Sequence, residues 1–184
     1  MKMSGSETIA ASRDAVWAGL NDPAVLKQCI SGCDSFTKDS PTTMTAKAFI
    51  KLGPLKIPFK GSVTLSDLNP PESCHIAGQG HGGLAGLASG AAAVKLTALS
   101  ANETQLDYDV DAQVSGKLAM FGARLIDSTA QSLAKQFFAK FASAVKAQSA
   151  KAVKPVTAAP KIVSTKKTVK KSVGKAVKKA VKKK

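Results

Sequence analysis

Between Cys33 and Val114 apolar and polar residues alternate with a period of two. Met44, Ala46, Ala48 and Ile50 interleave with Thr45 and Lys47. Phe59, Gly61, Val63 and Leu65 interleave with Lys60, Ser62, Thr64 and Ser66, and Val94, Leu96 and Ala98 with Lys95 and Thr97. The cleanest case sets Leu106, Tyr108 and Val110 against Asp107, Asp109 and Asp111. Such alternation marks antiparallel strands with one buried and one solvated face. Turn signals at Gly53-Pro54, Asn69-Pro70-Pro71, the glycines of 78–90 and Ala101-Asn102 divide the region into six strands. Residues 3–10, with Thr8 and Ile9, predict a further strand at the start.

Two short helices follow that first strand. Ser12 is a good N-cap, with Asp14 in the next turn, and Ala15, Val16, Gly19 and Leu20 lie near a helical spacing. Asn21-Asp22-Pro23 stops this helix and starts another, with Asp22 as cap and Pro23 in the first turn, where its missing N–H costs nothing. The second helix runs to about Cys29 or Ile30. Residues 117–145 predict one long helix. Phe121, Leu125, Leu133, Phe137, Phe141 and Val145 lie on a four-residue step beside a stripe of Ile126, Ala130, Phe138 and Ala142. So broad an apolar face must be buried, and the concave side of the sheet is the large partner available. The expected fold is α+β: a seven-stranded antiparallel sheet wrapped round a long C-terminal helix.

This order of elements resembles the helix-grip fold of the START-like, or SRPBCC, superfamily. From Met1 to about Val145 the chain resembles the G-subunit family of carbon monoxide dehydrogenase in particular. The resemblance lies in Met3-Ser4-Gly5-Ser6, Val16-Trp17-Ala18-Gly19-Leu20-Asn21-Asp22-Pro23 and Cys29-Ile30-Ser31-Gly32-Cys33. It continues in Phe59-Lys60-Gly61, Val63-Thr64-Leu65-Ser66-Asp67 and Gly80-His81-Gly82-Gly83-Leu84-Ala85-Gly86. It ends with Leu106 to Val114 and Gly116-Lys117-Leu118. The family usually has proline where this chain has Ser31. The resemblance implies an accessory protein that travels with molybdenum hydroxylases of the carbon monoxide dehydrogenase type. Such proteins handle quinones or recruit the enzyme to a membrane, and are not the oxidoreductase itself.

A long helix across a curved sheet leaves room for an apolar pocket. The candidate lining is Phe59, Val63, Leu65, Val94, Leu96, Tyr108, Val110, Phe121, Leu125, Phe137 and Phe141. Gly61, Ala46, Ala48 and Ala98 at inward positions would leave volume unfilled. The bland alternative is that these residues simply fill the core. The expected cargo is a hydrophobic molecule, a quinone or another lipid tail, with no covalently bound cofactor. The segment 82–91 lacks the Lys-Ser/Thr of a P-loop and the setting of a Rossmann turn. It reads either as a permissive turn or as a mobile lid tipped by Leu84 and Leu87.

Composition sharpens the division of the chain. The formal net charge is +15, yet 14 of the 27 basic residues and none of the 12 acidic ones follow Val145. Residues 1–145 thus carry 13 basic and 12 acidic side chains. That excludes a uniformly basic nucleic-acid-binding domain, and the 44% hydrophobic content excludes wholesale disorder. The expected division is a ligand-binding domain at 1–145, a Pro/Ala/Lys linker at 146–165 and a Lys-rich tail at 166–184. In the tail Val169, Val173, Val177 and Val181 form a stripe bordered by Lys166, Lys167, Lys170, Lys171, Lys175, Lys178, Lys179, Lys182, Lys183 and Lys184. Against an anionic bilayer each lysine near the surface contributes about 1 kcal/mol. The rival partner is nucleic acid, bound through phosphates without sequence preference. The tail has no aromatic residue or arginine for base readout.

No run of 18 apolar residues and no apolar stretch at the N-terminus is present, so neither a membrane span nor a secretory signal is expected. The expected place is the cytoplasm, peripheral to the inner face of the cell membrane. Cys29, Cys33 and Cys74 are an odd set, which favours free thiols. Cys29-x3-Cys33 lacks further zinc ligands, and His75 and His81, on one strand, would lie about 20 Å apart. No metal site is expected. No nucleophile–base pair or paired carboxylate stands out, so no catalytic residue is assigned. The alternatives to a carrier are a tethering adaptor with a packed core and a small hydrolase or cyclase.

Overall fold

The computed structural model describes residues 1–152. Seven strands form one antiparallel sheet: β1 Lys2–Ile9, β2 Cys33–Lys38, β3 Thr43–Leu52, β4 Leu55–Asn69, β5 Ser73–His81, β6 Leu87–Ser100 and β7 Glu103–Ser115. The order across the sheet is β1-β7-β6-β5-β4-β3-β2, a meander from β2 to β7 with β1 added at the β7 edge. Helices α1 Arg13–Leu20 and α2 Pro23–Cys29 lie between β1 and β2, and α3 Ala123–Ala152 closes the described chain.

The local signals act where they stand. The Ser12 side chain accepts from the Ala15 backbone N–H, and the Asp22 side chain accepts from Ala24, with Pro23 at the first position of α2. Asn21, between the helices, donates through Nδ2 to the Trp17 carbonyl at 3.0 Å.

The long helix departs from expectation at both ends. Residues 116–121 form a short 3-10 segment, and α3 begins at Ala123. Gly116 (φ +74°) and Gly122 (φ +80°) sit in the left-handed region that favours glycine and break the helix there. Residues 146–152, expected as linker, continue α3. They contain only helix-tolerant Lys, Ala, Gln and Ser, and the next proline in the sequence is Pro155. The remainder of the expected linker and the whole Lys-rich tail lie outside the described residues. Segment 82–91 also differs. Only Gly83–Ala85 forms the 3-10 connection, and Leu87 already belongs to β6, opposite His81 and Ser115.

One half of the groove between sheet and α3 is solidly filled. Ile9, Val16, Val25, Cys29, Leu96, Leu106, Phe141 and Val145 are buried there together. Helix α1 fits closely on α3 because residue 19 is glycine: a β-carbon there would lie 2.8 Å from Val145 Cγ2. Leu26, Met44 and Leu65 make a second buried group beside Val63 and Phe36. The filled half is therefore the half that α1 and α2 cover.

Candidate functional site

Beyond α1 and α2 the groove holds open space. A chamber of about 420 Å³ lies between the inner sheet face and α3. A second, of about 350 Å³, adjoins it and shares Met3, Ala48, Ile50, Val110 and Leu133 as wall. Strand register explains the emptiness. Ala46 pairs with Gly61, Gly61 with Gly80, Gly80 with Ala88, and Ala88 with Val114. One transverse row of the inner face thus carries glycine, alanine and a single valine across five strands, and all five residues line the larger chamber. Helix α3 meets this row with Ala130, and the smaller chamber with Ala134. Small residues facing small residues across a rigid sheet–helix frame leave volume that neither side fills.

The walls are almost wholly apolar. The larger chamber has one polar side chain, Thr129, and the smaller has two, Ser31 and Tyr108. Tyr108 is held by stacking on Phe138, with centroids 4.9 Å apart. It lies over Gly5, its register partner on β1, where any β-carbon would collide with the phenol ring. Ser31 sits between α3 side chains: its hydroxyl donates to Gln136 Oε1 at 3.0 Å, and Lys140 Nζ donates to Ser31 Oγ at 3.0 Å. Such a site offers dispersion and desolvation to a hydrocarbon, with three hydroxyls to orient a polar end.

The eleven expected lining residues and the two leucines of the candidate lid divide. Phe59, Tyr108, Val110 and Phe137 line the chambers. Leu96 and Phe141 are fully buried core, and Val94 is packed in the same group. Val63 and Leu65 point inward but at the end that Leu26, Phe36 and Met44 fill. Leu125 packs on Leu52, Ile57 and Leu118. Leu87 is half-buried outside the chambers, while Phe121 and Leu84 are exposed, Leu84 at 91%. Of the small residues, Ala46, Ala48 and Gly61 face the larger chamber, whereas Ala98 is exposed near the end of β6. Sequence reasoning missed Met3, Ala88, Ala112, Ile126, Thr129 and Ala130. The signal for part of this set is the run of glycine and alanine at one parity of β5 and β6.

The opposite, outer face carries a larger depression of about 810 Å³, walled by Ser4, Ser6, Asp67, His75, Lys95, Asp107 and their neighbours. His75 Nδ1 lies 2.8 Å from Asp67 Oδ2, and both side chains are largely solvated. That hydrogen bond holds the Asp67 carboxyl below the usual carboxylate range. Bonds from Ser6 and Gln105 do the same for Asp107. Screened pairs of this kind contribute little binding energy. Cys29 and Cys74 are buried free thiols, and burial raises both above their ordinary value of 9.0. Among the described residues no cluster of three metal-ligating side chains occurs, and no helix is long and apolar enough to cross a membrane.

Solved structures share this architecture. A conserved protein from Geobacillus kaustophilus is 28% identical, with 80% of this chain and 97% of that one covered and a TM-score of 0.75. A START superfamily protein from Mycobacterium smegmatis is 11% identical over 83% of this chain and 99% of that one, TM-score 0.59. The Zhui aromatase/cyclase from Streptomyces sp. R1128 is 13% identical over 86% and 99%, TM-score 0.54. At the lower identities the likeness concerns the fold alone. No curated protein matches the chain. The model of the carbon monoxide dehydrogenase G-subunit (CoxG) family matches residues 5–146, which include β2 to β7 whole, β1 from Gly5 onward and all but the end of α3. The chain belongs to the CoxG family of carbon monoxide dehydrogenase, on a START-like fold.

Proposed function

We propose that this protein is a non-catalytic carrier. It holds an oily molecule, a respiratory quinone or another lipid tail, between α3 and the sheet, and it couples a molybdenum hydroxylase of the carbon monoxide dehydrogenase type to a membrane. The observation that carries the reading is the pair of joined chambers of about 420 and 350 Å³ with only Thr129, Ser31 and Tyr108 as polar wall. Tyr108 is the one titratable side chain among the described residues lining them, which favours carriage over acid–base chemistry. The family name supports a dehydrogenase client. The Lys-rich tail supports an anionic surface as second partner.

The test is native mass spectrometry with ubiquinone and menaquinone analogues, on the wild type and on Ala48→Phe. Ala48 lies on the wall common to both chambers, so a phenyl group there takes up cargo space. Retained mass adducts in the wild type and their loss in a folded Ala48→Phe variant are expected. Failure of every hydrophobic probe to bind the wild type would leave a tethering adaptor as the better account.

A further inference from the structure

The meander puts alternate connections at opposite ends of the sheet. The β3–β4 turn, the Gly83–Ala85 connection and the Gly116–Phe121 segment that leads into α3 share one end. They are packed together by Leu52, Ile57 and Leu118, with Ala85 and Leu125 against them. The backbones touch: a β-carbon at Gly116 would lie 2.8 Å from the Gly86 Cα.

Built on that small core is a cap of exposed apolar side chains. Leu84 is 91% exposed, Met120 84%, Leu55 46% and Phe121 37%. Their neighbours are cationic. Segments 48–62, 79–92 and 112–126 contain Lys51, Lys56, Lys60, Lys117 and Arg124 and no acidic residue. The connections at the other end carry Asp39 and Glu72, the latter paired with Arg13 at 3.0 Å, and β7 starts there with Glu103. A nearly neutral domain is thus polarised, with apolar tips inside a basic collar at one end. An apolar tip flanked by positive charge complements an anionic lipid surface, where hydrocarbon and lipid phosphate lie a few ångströms apart in depth. The larger chamber reaches the same end, for Leu52, Ile57 and Leu118 form part of its wall.

We propose that this cap inserts into an anionic bilayer, so that the folded domain grips the membrane independently of the tail and presents the apolar chamber to the acyl chains. The inference rests on the carrier reading only in giving the contact a purpose. The contact itself stands on exposure and charge.

The experiment uses the full chain and vesicles of phosphatidylcholine with phosphatidylglycerol, with and without brominated acyl chains. The wild type has one tryptophan, Trp17, packed against the core at the C-terminal half of α3, roughly 30 Å along the helix from the cap. Leu84→Trp and Met120→Trp each add an indole at the cap. The expected result is blue-shifted, bromine-quenched emission from the added indole, with Trp17 of the wild type unquenched. At about 1 M salt, where charges beyond roughly 3 Å are screened, residual vesicle binding should fall about tenfold or more in Leu84→Asp/Met120→Asp. Added indoles that stay unshifted and unquenched on protein that pellets with the vesicles would overturn the proposal while leaving the carrier reading intact. Failure to pellet at all would overturn it too. Quinone binding by native mass spectrometry tests the carrier reading separately.

Discussion

Phe141, a candidate lining residue, and Leu84, at the tip of the candidate lid, are set furthest apart by their surroundings. Phe141 is fully enclosed and stacks on Phe137 at 5.7 Å, whereas Leu84 stands in solvent. Phe141→Ala should cost about 3–5 kcal/mol, and Leu84→Ala less than about 0.5 kcal/mol, both read as shifts in the urea midpoint at unchanged slope. A pH dependence follows from the buried thiols. In the unfolded chain Cys29 and Cys74 ionise near 9.0, while burial holds them protonated to higher pH in the native state. Their contribution is therefore intact below pH 9 and is lost as pH rises above it. The melting temperature should decline from pH 9 to 10.5, less steeply in Cys29→Ala/Cys74→Ala, whatever that variant's starting stability. Residue-scale reading of the sequence succeeded where a rule is local. Ser12 and Asp22 cap because a short oxygen-bearing side chain before a helix has one obvious N–H to take. It failed where the outcome depends on which distant residue fills a space, as for Val94 and Leu96, which share one buried cluster with Val16 of α1 and Phe141 of α3.

Among the elements, strands were legible and the start of the long helix was not. Alternation such as Leu106-Asp107-Tyr108-Asp109 has no helical reading, and β7 runs through it unbroken. At 117–125 the four-residue step of Phe121 and Leu125 continues the helical spacing, but Phe121 ends the 3-10 segment and Leu125 belongs to α3, with Gly122 between them. The decisive signals were Gly116 and Gly122, with positive φ. The paired connections at this end depend on glycine in a stricter way. Gly86 has φ +126°, and a β-carbon on it would run into the Ser115 carbonyl. Gly86→Ala should destabilise the domain by about 1–3 kcal/mol. It should also loosen Gly83–Ala85 from Gly116–Phe121, so faster amide exchange in both segments, with protection in α1 unchanged, is the expected pattern. Uniform loss of protection throughout the sheet would show that the joint holds the whole fold rather than the cap.

At the scale of the molecule, two properties emerge that no segment shows alone. The empty waist arises because register aligns Ala46, Gly61, Gly80 and Ala88 in one row, and a sequence states parity but not register. The charge polarity arises because a meander sends alternate turns to opposite ends, and it was legible once the strand order was known. Together with the tail the proposed cap insertion gives two membrane contacts of different physics. The tail's lysines act through screened charge, and the cap acts through buried hydrocarbon. Joined contacts multiply, because the second engages at the effective concentration set by the first. Removing residues 153–184 should therefore lower vesicle affinity at least about tenfold at low salt, since losing even a few lysine–lipid interactions suffices. The difference should vanish near 1 M salt. The melting temperature should stay unchanged, because among the described residues the buried groups of the core end at Val145. Flotation of both forms across a salt series, repeated with Leu84→Asp/Met120→Asp in each, separates the two contributions. If each change weakens binding by the same factor whether or not the other is present, the contacts act independently. If the cap substitution matters only when the tail is present, the tail delivers the domain and the cap merely follows.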